Sequence, residues 1–154
     1  MIPKSSMLET RFFENKLFWN VKIVITIFMI KNFLILNFIG KNDKIGLMVD
    51  NKFYTHIFDQ KHNNEQLVSS ILNLIKKYKA NINSNFSILV NSGPGSFSSL
   101  RVSLAVAKGM KISKKINLFG FKNEDLGQFS LANIELLIRK KLIQKNLIKP
   151  LYIS

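Results

Sequence analysis

The sequence predicts an α/β fold, a mixed sheet covered by helices, and three observations carry that reading. Three apolar runs near the front are separated only by short turns. Behind them, three helical segments alternate with single short apolar runs, the pattern that places helices over a sheet. The 154 residues contain 47% apolar residues and no repeat or low-complexity linker, which suits one packed domain with at most an appendage.

The elements follow in order. "FLILNF" from Phe33 is a buried-strand candidate, and "KIGLMV" and "KFYTHIF" follow it across "GKND" and "DN". Asp50-Asn51 is hairpin chemistry, because Asp and Asn tolerate positive φ, so these three strands predict an antiparallel meander. "HNNEQLVSSILNLIKKYK" is a helix, with Asn63 or Asn64 as cap and Leu67, Val68, Ile71, Leu72, Leu74, Ile75 and Tyr78 at helical spacing. Lys76, Lys77 and Lys79 fall in its last turns, where the macrodipole favours cations. Its apolar arc is broad enough to meet the sheet on one side and a second body on the other, either a neighbouring helix or a partner's. "NFSILV" is the next strand, "NSGPGSFSSLRVSLAVAKGM" turns into a helix, and "INLFGF" is a further strand. Ser130 to Lys149 predicts a final amphipathic helix, with Leu131, Ile134, Ile138 and Leu142 on one face, stopped by Pro150.

Composition excludes several classes of function. No cysteine is present, so there is no disulfide framework or thiolate metal site, and His56 and His62 offer no paired ligand motif. A formal charge of +14 invites phosphate binding. Yet only Arg11, Arg101 and Arg139 are arginine among the 23 basic residues, and Lys, Ile and Asn are abundant together. That joint bias matches an A/T-rich coding sequence, and base-reading arginines interleaved with aromatics are not evident along the chain. The apolar stretch Val21 to Ile30 is too short to span a bilayer, and no small-residue cleavage site follows it; no membrane contact and a cytoplasmic location are expected. Residues 1–28 lack a clean period and precede a natural start at Met29, so they form an extension of uncertain reality.

The glycine-rich stretch fails the standard nucleotide motifs. A Walker A loop needs a lysine directly after its last glycine, but here none comes before Lys108. A dinucleotide fingerprint needs a third glycine where Ser98 stands, and the acidic residue downstream is missing. What remains is a tight strand-to-helix turn: Gly93 and Gly95 grant backbone freedom, Pro94 stiffens the turn, and Ser96 or Ser98 caps the helix. The helix beyond it is apolar on nearly every face, which predicts burial on most sides, with Arg101 and Lys108 sharing the one polar stripe. Arg101 is either a surface charge or an anchor for a carboxylate or phosphate. No nucleophile–base pair is apparent: Ser96 follows "GPG" directly and is no nucleophile elbow.

"GPGSFSSLRVSLAVAKGM", Gly93 to Met110, resembles the "GPGSFTGLRIGLAxAKGL" signature of the TsaB (YeaZ) family. "HNNEQLVSSI" is similar to that family's "HSExLLPxI", and "KPLYIS" resembles its "PxYLR" tail. The resemblance implies an actin-like (ASKHA, ribonuclease H-like) first subdomain over residues 29–128, with 129–154 forming a C-terminal helix and tail. The second subdomain would be largely missing, so the chain looks like a shortened member. Its implied function is that of a non-catalytic subunit of the machinery that makes threonylcarbamoyladenosine in tRNA. It would bind and support the TsaD-type catalytic subunit, with the TsaE-type ATPase in the same complex, tRNA reached indirectly, and no cofactor or metal of its own. A homodimer is a further option when the partner is absent.

On that carry-over the partner-binding residues are Leu67, Ile71, Leu74, Ile75, Tyr78, Leu100 and Leu104, and the motif loop comprises Gly93, Pro94, Gly95, Ser96, Phe97 and Arg101. The chain departs from the family where a strand-ending "DTS" is replaced by Asn37-Phe38-Ile39, which speaks against a nucleotide there, and where Ser99 replaces a glycine. Two other readings stand beside this one: a small basic RNA-binding protein, and a degenerate remnant without activity.

Overall fold

The computed structural model describes residues 30–59, 61–145 and 148–153, together with residue 21; the expectation about residues 1–28 lies outside them. Six strands form one sheet in the order β3-β2-β1-β4-β5-β6. β1 (Phe33–Asn37), β2 (Lys44–Val49) and β3 (Lys52–Ile57) build the antiparallel meander, in register from Phe33 opposite Met48 and from Val49 opposite Lys52. Asp50 and Asn51 both take positive φ, 50° and 62°. This is the type I′ geometry whose twist matches the flanking strands. β4 (Ser87–Asn91) then pairs parallel with β1, and β5 (Asn117–Phe121) parallel with β4.

The helices divide between the two faces of the sheet. α1 (Asn63–Lys77) and α2 (Phe97–Lys114) cover one face, and α3 (Asn123–Leu126) and α4 (Leu131–Arg139) lie over the other. Period-two alternation in the strands does the sorting. Leu34, Leu36, Ile88 and Val90 point into the α1–α2 side, whereas Phe33, Ile35 and Leu89 point into the α3–α4 side. Strands buried on both faces read as continuous apolar runs, which is why "FLIL" and "SILV" show no alternation in sequence.

The structure departs from expectation at three places. His62, in the left-handed region at φ 59°, precedes α1 without a side-chain cap. Asn63 and Asn64 are helical, and their amides turn elsewhere: Asn63 Nδ2 donates to Asp43 Oδ2 at 3.2 Å, and Asn64 Oδ1 accepts from Ser99 Oγ at 3.4 Å. The last helix ends at Arg139 instead of Lys149. There Lys141 swings to φ 57°, its amide bonds the Ile138 carbonyl, and the Leu142 amide bonds the Leu137 carbonyl. These two bonds satisfy the terminal carbonyls in a Schellman closure, the role usually given to glycine. The chain then forms β6 (Gln144–Lys145), antiparallel to β5. Finally, α2 is buried along one stripe only, Ser99, Leu100, Ser103, Leu104 and Ala107, and Ile112 is left 81% exposed.

Candidate functional site

The glycine turn lies at the carboxyl ends of the parallel strands, where the hairpin leaves β1 toward β2, the α2 crossover leaves β4 toward β5 on the other side, and α/β proteins commonly hold ligands. Its first glycine, Gly93, sits at φ 103°, and a Cβ there would come within 2.5 Å of the Leu151 carbonyl oxygen. A Cβ on Gly95 would meet the Cβ and carbonyl of Ile39, both at 2.8 Å. Both glycines are therefore required by backbone approach from other segments. Ser96 is the cap: its Oγ accepts from the Ser99 amide at 3.3 Å, and its own amide donates to the Ile39 carbonyl at 2.9 Å.

The C-terminal tail completes this site, and the sequence carries no periodic signal for it. The Leu151 amide donates to the Ser92 carbonyl, the Gly95 amide to the Leu151 carbonyl and the Ile153 amide to the Gly95 carbonyl, at 2.8–3.0 Å. Tyr152 forms a parallel bridge with Gly95. The tail thereby brings the Tyr152 ring to 4.7 Å from Phe97, and the Arg101 guanidinium lies over the Phe97 ring at 4.9 Å. Arg101 is exposed, and among the described residues it joins no ion pair.

Below the turn, three asparagines occupy the strand ends. Asn91 Nδ2 donates to Asn37 Oδ1 at 2.6 Å and to Asn123 Oδ1 at 3.1 Å, and Asn91 Oδ1 accepts from the Gly93 amide. Asn37 is thus engaged in holding the turn, and the strand end offers a neutral amide cluster where a phosphate-bound cation would want carboxylate. Asp43, 2% exposed, fastens the neighbouring Gly40–Asp43 turn by accepting from the Ile39 and Gly40 amides at 2.9 Å. The sequence reading did not single out Asp43, although its place in a "GKND" turn was a usable signal. Among the described residues no group of three or more His, Cys, Asp or Glu side chains gathers as a metal site, and no helix is long and apolar enough to cross a membrane.

The residues expected at a partner surface divide sharply. Leu67, Ile71, Leu74, Leu100 and Leu104 are buried in the chain's own core, because they occupy the sheet-facing stripe of each helix. Tyr78 is stacked on Tyr54 at 3.5 Å. Ile75 and Tyr78 keep partly open positions. The apolar surface these helices do present is a groove of about 490 Å³ between them, walled by Val68, Leu72, Ile75, Ile82, Val106 and Met110. Leu72 is 58% exposed there. Where the motif has Ser99 in place of glycine, its hydroxyl bonds Asn64 of α1, so the helices still meet.

Comparisons with known proteins agree with this arrangement. Residues 57–123 match the family model described as "TsaD: tRNA N6-adenosine threonylcarbamoyltransferase", a span running from the end of β3 through α1, β4, the glycine turn, α2 and β5. Two solved structures share the fold: YeaZ from Pseudomonas aeruginosa, and an uncharacterized protein with similarity to peptidase YEAZ from the same organism. Each superposes with a TM-score of 0.55 at 17% identity over 63% of this chain. The chain spans only 45% and 44% of their respective lengths, less than half of each. No curated protein matches the sequence. The mixed sheet with helices on both faces is thus shared with these YeaZ structures over part of their length, and the family-model match together with that shared fold supports the resemblance to the TsaB (YeaZ) family drawn from the motif.

Proposed function

We propose that this chain is a shortened TsaB-type accessory subunit that performs no chemistry itself and docks on a TsaD-type catalytic subunit, in a complex that also includes a TsaE-type ATPase and acts on tRNA. One observation carries the reading: the α1–α2 layer, which falls within the matched segment, presents an open apolar groove to solvent. Burying such a surface is worth about 25 cal/mol per Å². A second helix pair laid into the groove would cover Val68, Leu72, Val106 and Met110 at once. The surface also limits what fits. Lys76, Lys77, Lys111 and Lys114 occupy the last turns of the two helices, and α2 has no acidic residue in its first turn. A partner face that is apolar in the middle and carries carboxylates opposite those lysines is complementary.

The test is co-expression of the full chain with the TsaD-type protein of the same organism. A heterodimer is expected, lost in Leu72→Asp and retained in Ile57→Asp, which alters an exposed residue on the outer strand instead of the groove. An aspartate at Leu74 would unfold the core and test nothing about docking. Failure of the unaltered chain to co-purify at low salt would refute the proposal.

A further inference from the structure

The cluster of Arg101, Phe97 and Tyr152, its two rings inclined at 55°, is not used by the groove and lies at the other end of α2. Phe97 is 53% exposed and Tyr152 44%, so the rings are not core residues that happen to touch. Phe97 and Arg101 are one helical turn apart, and Tyr152 reaches them only because the tail is bonded to Ser92 and Gly95. The backbone of three segments therefore fixes a planar cation and two aromatic rings in one open cluster. Cations ring it. Lys41 follows Gly40, which abuts the Ser96 side chain. Lys122 precedes Asn123, whose amide bonds the Gly93 carbonyl, and Lys149 lies two residues before Leu151. Beside the tail, a cavity of about 430 Å³ is lined by Lys122, Asp125, Gln144, Lys149 and Leu151.

We propose that this cluster binds single-stranded nucleic acid, bases stacking on Arg101, Phe97 and Tyr152 while Lys41, Lys122 and Lys149 hold phosphates. Aromatic faces beside a tracked backbone are the general means of gripping unpaired strands, and guanidinium planes stack on bases as rings do. The cavity is large enough to receive one base, with Gln144 and Asp125 supplying hydrogen-bonding groups at its wall. The inference rests on the platform alone and does not depend on the subunit reading.

Fluorescence anisotropy with the full chain tests it, using a labelled 12-nucleotide single-stranded RNA, the same backbone with its bases removed, and a duplex of equal length. Stacking of even one base makes the intact single strand bind at least about fivefold tighter than the abasic strand of equal charge. Arg101→Lys, an exposed replacement that keeps the charge but loses the plane, and Tyr152→Ala should each remove most of that advantage. Lys149→Ala should lower the affinity of both single strands and flatten the salt dependence. Equal binding of intact and abasic strands, preference for the duplex, or an advantage that survives both Arg101→Lys and Tyr152→Ala would overturn the proposal, the last of these pointing to a protein-docking role for the rings.

Discussion

Replacing Gly93 by alanine tests whether the glycine turn and the tail are one unit. At φ 103° the backbone of Gly93 occupies a region that side chains rarely enter, and a conformation of this kind costs about 1–3 kcal/mol for a non-glycine residue. The new methyl carbon would also stand 2.5 Å from the Leu151 carbonyl oxygen and 3.1 Å from Leu100 Cδ1. The leucine methyl can shift, but the carbonyl is held by the Gly95 amide at 3.0 Å and cannot move without releasing it. Overpacking of this order costs a further ~1–3 kcal/mol. The sum is about 2–6 kcal/mol if the turn keeps its shape. If the tail detaches instead, the loss is limited to the three tail bonds and their packing. Urea unfolding followed by circular dichroism measures the first quantity, and hydrogen exchange at the Gly95, Leu151 and Ile153 amides distinguishes the two routes. A destabilisation below about 0.5 kcal/mol with those three amides still protected would refute the reasoning, since a surface substitution alone does as little.

Other predictions follow from the same geometry. Gly109→Ala, in the middle of α2 with open space around the added methyl, should stabilise the chain by about 0.5–1 kcal/mol and raise Tm by roughly 2–4 °C in calorimetry. Asp43→Ala should cost about 2–4 kcal/mol in urea unfolding, because the buried Ile39 amide loses its acceptor. Neighbouring residues on α1 should behave oppositely: Ile71→Ala, at a site 2% exposed, should lose ~2–5 kcal/mol, whereas Leu72→Ala should stay within about 0.5 kcal/mol in the isolated chain.

The meander, the I′ turn at Asp50-Asn51 and α1 were legible because each is written in short-range terms: apolar runs, turn residues and a 3.6-residue period. The end of α4 was not. Lys140 and Lys141 look like good helix formers, and only the left-handed turn at Lys141, which the sequence does not mark, lets the chain reach β6. The all-round apolarity of α2 misled in the same way. Periodicity could not reveal that Ser99 and Ser103 face inward while Ile112 faces out, since the inward stripe is selected by how closely α2 approaches β4 and α1. The motif loop was correctly placed at a strand-to-helix turn, but the reason for its glycines was illegible. They accommodate the backbone of Ile39 and Leu151, one far upstream and one far downstream. Five of the seven residues expected at a partner surface, Leu67, Ile71, Leu74, Leu100 and Leu104, illustrate the limit of an apolar arc: it marks which helix face is apolar, and the core takes that face first.

The tail's position also has a consequence for the order in which the molecule becomes complete during synthesis. All five of the longer strands and both large helices precede residue 122, so the sheet can assemble while the end of the chain is still being made. The glycine turn then waits some tens of residues for Leu151 and Ile153, which is several seconds at typical elongation rates of ~5–20 residues per second. During that interval the amide of Gly95 and the carbonyls of Ser92 and Gly95 lack the partners they have in the finished fold. The nascent chain thus passes through a stage at which its most characteristic loop is an unfilled backbone slot, open to whichever extended segment arrives first.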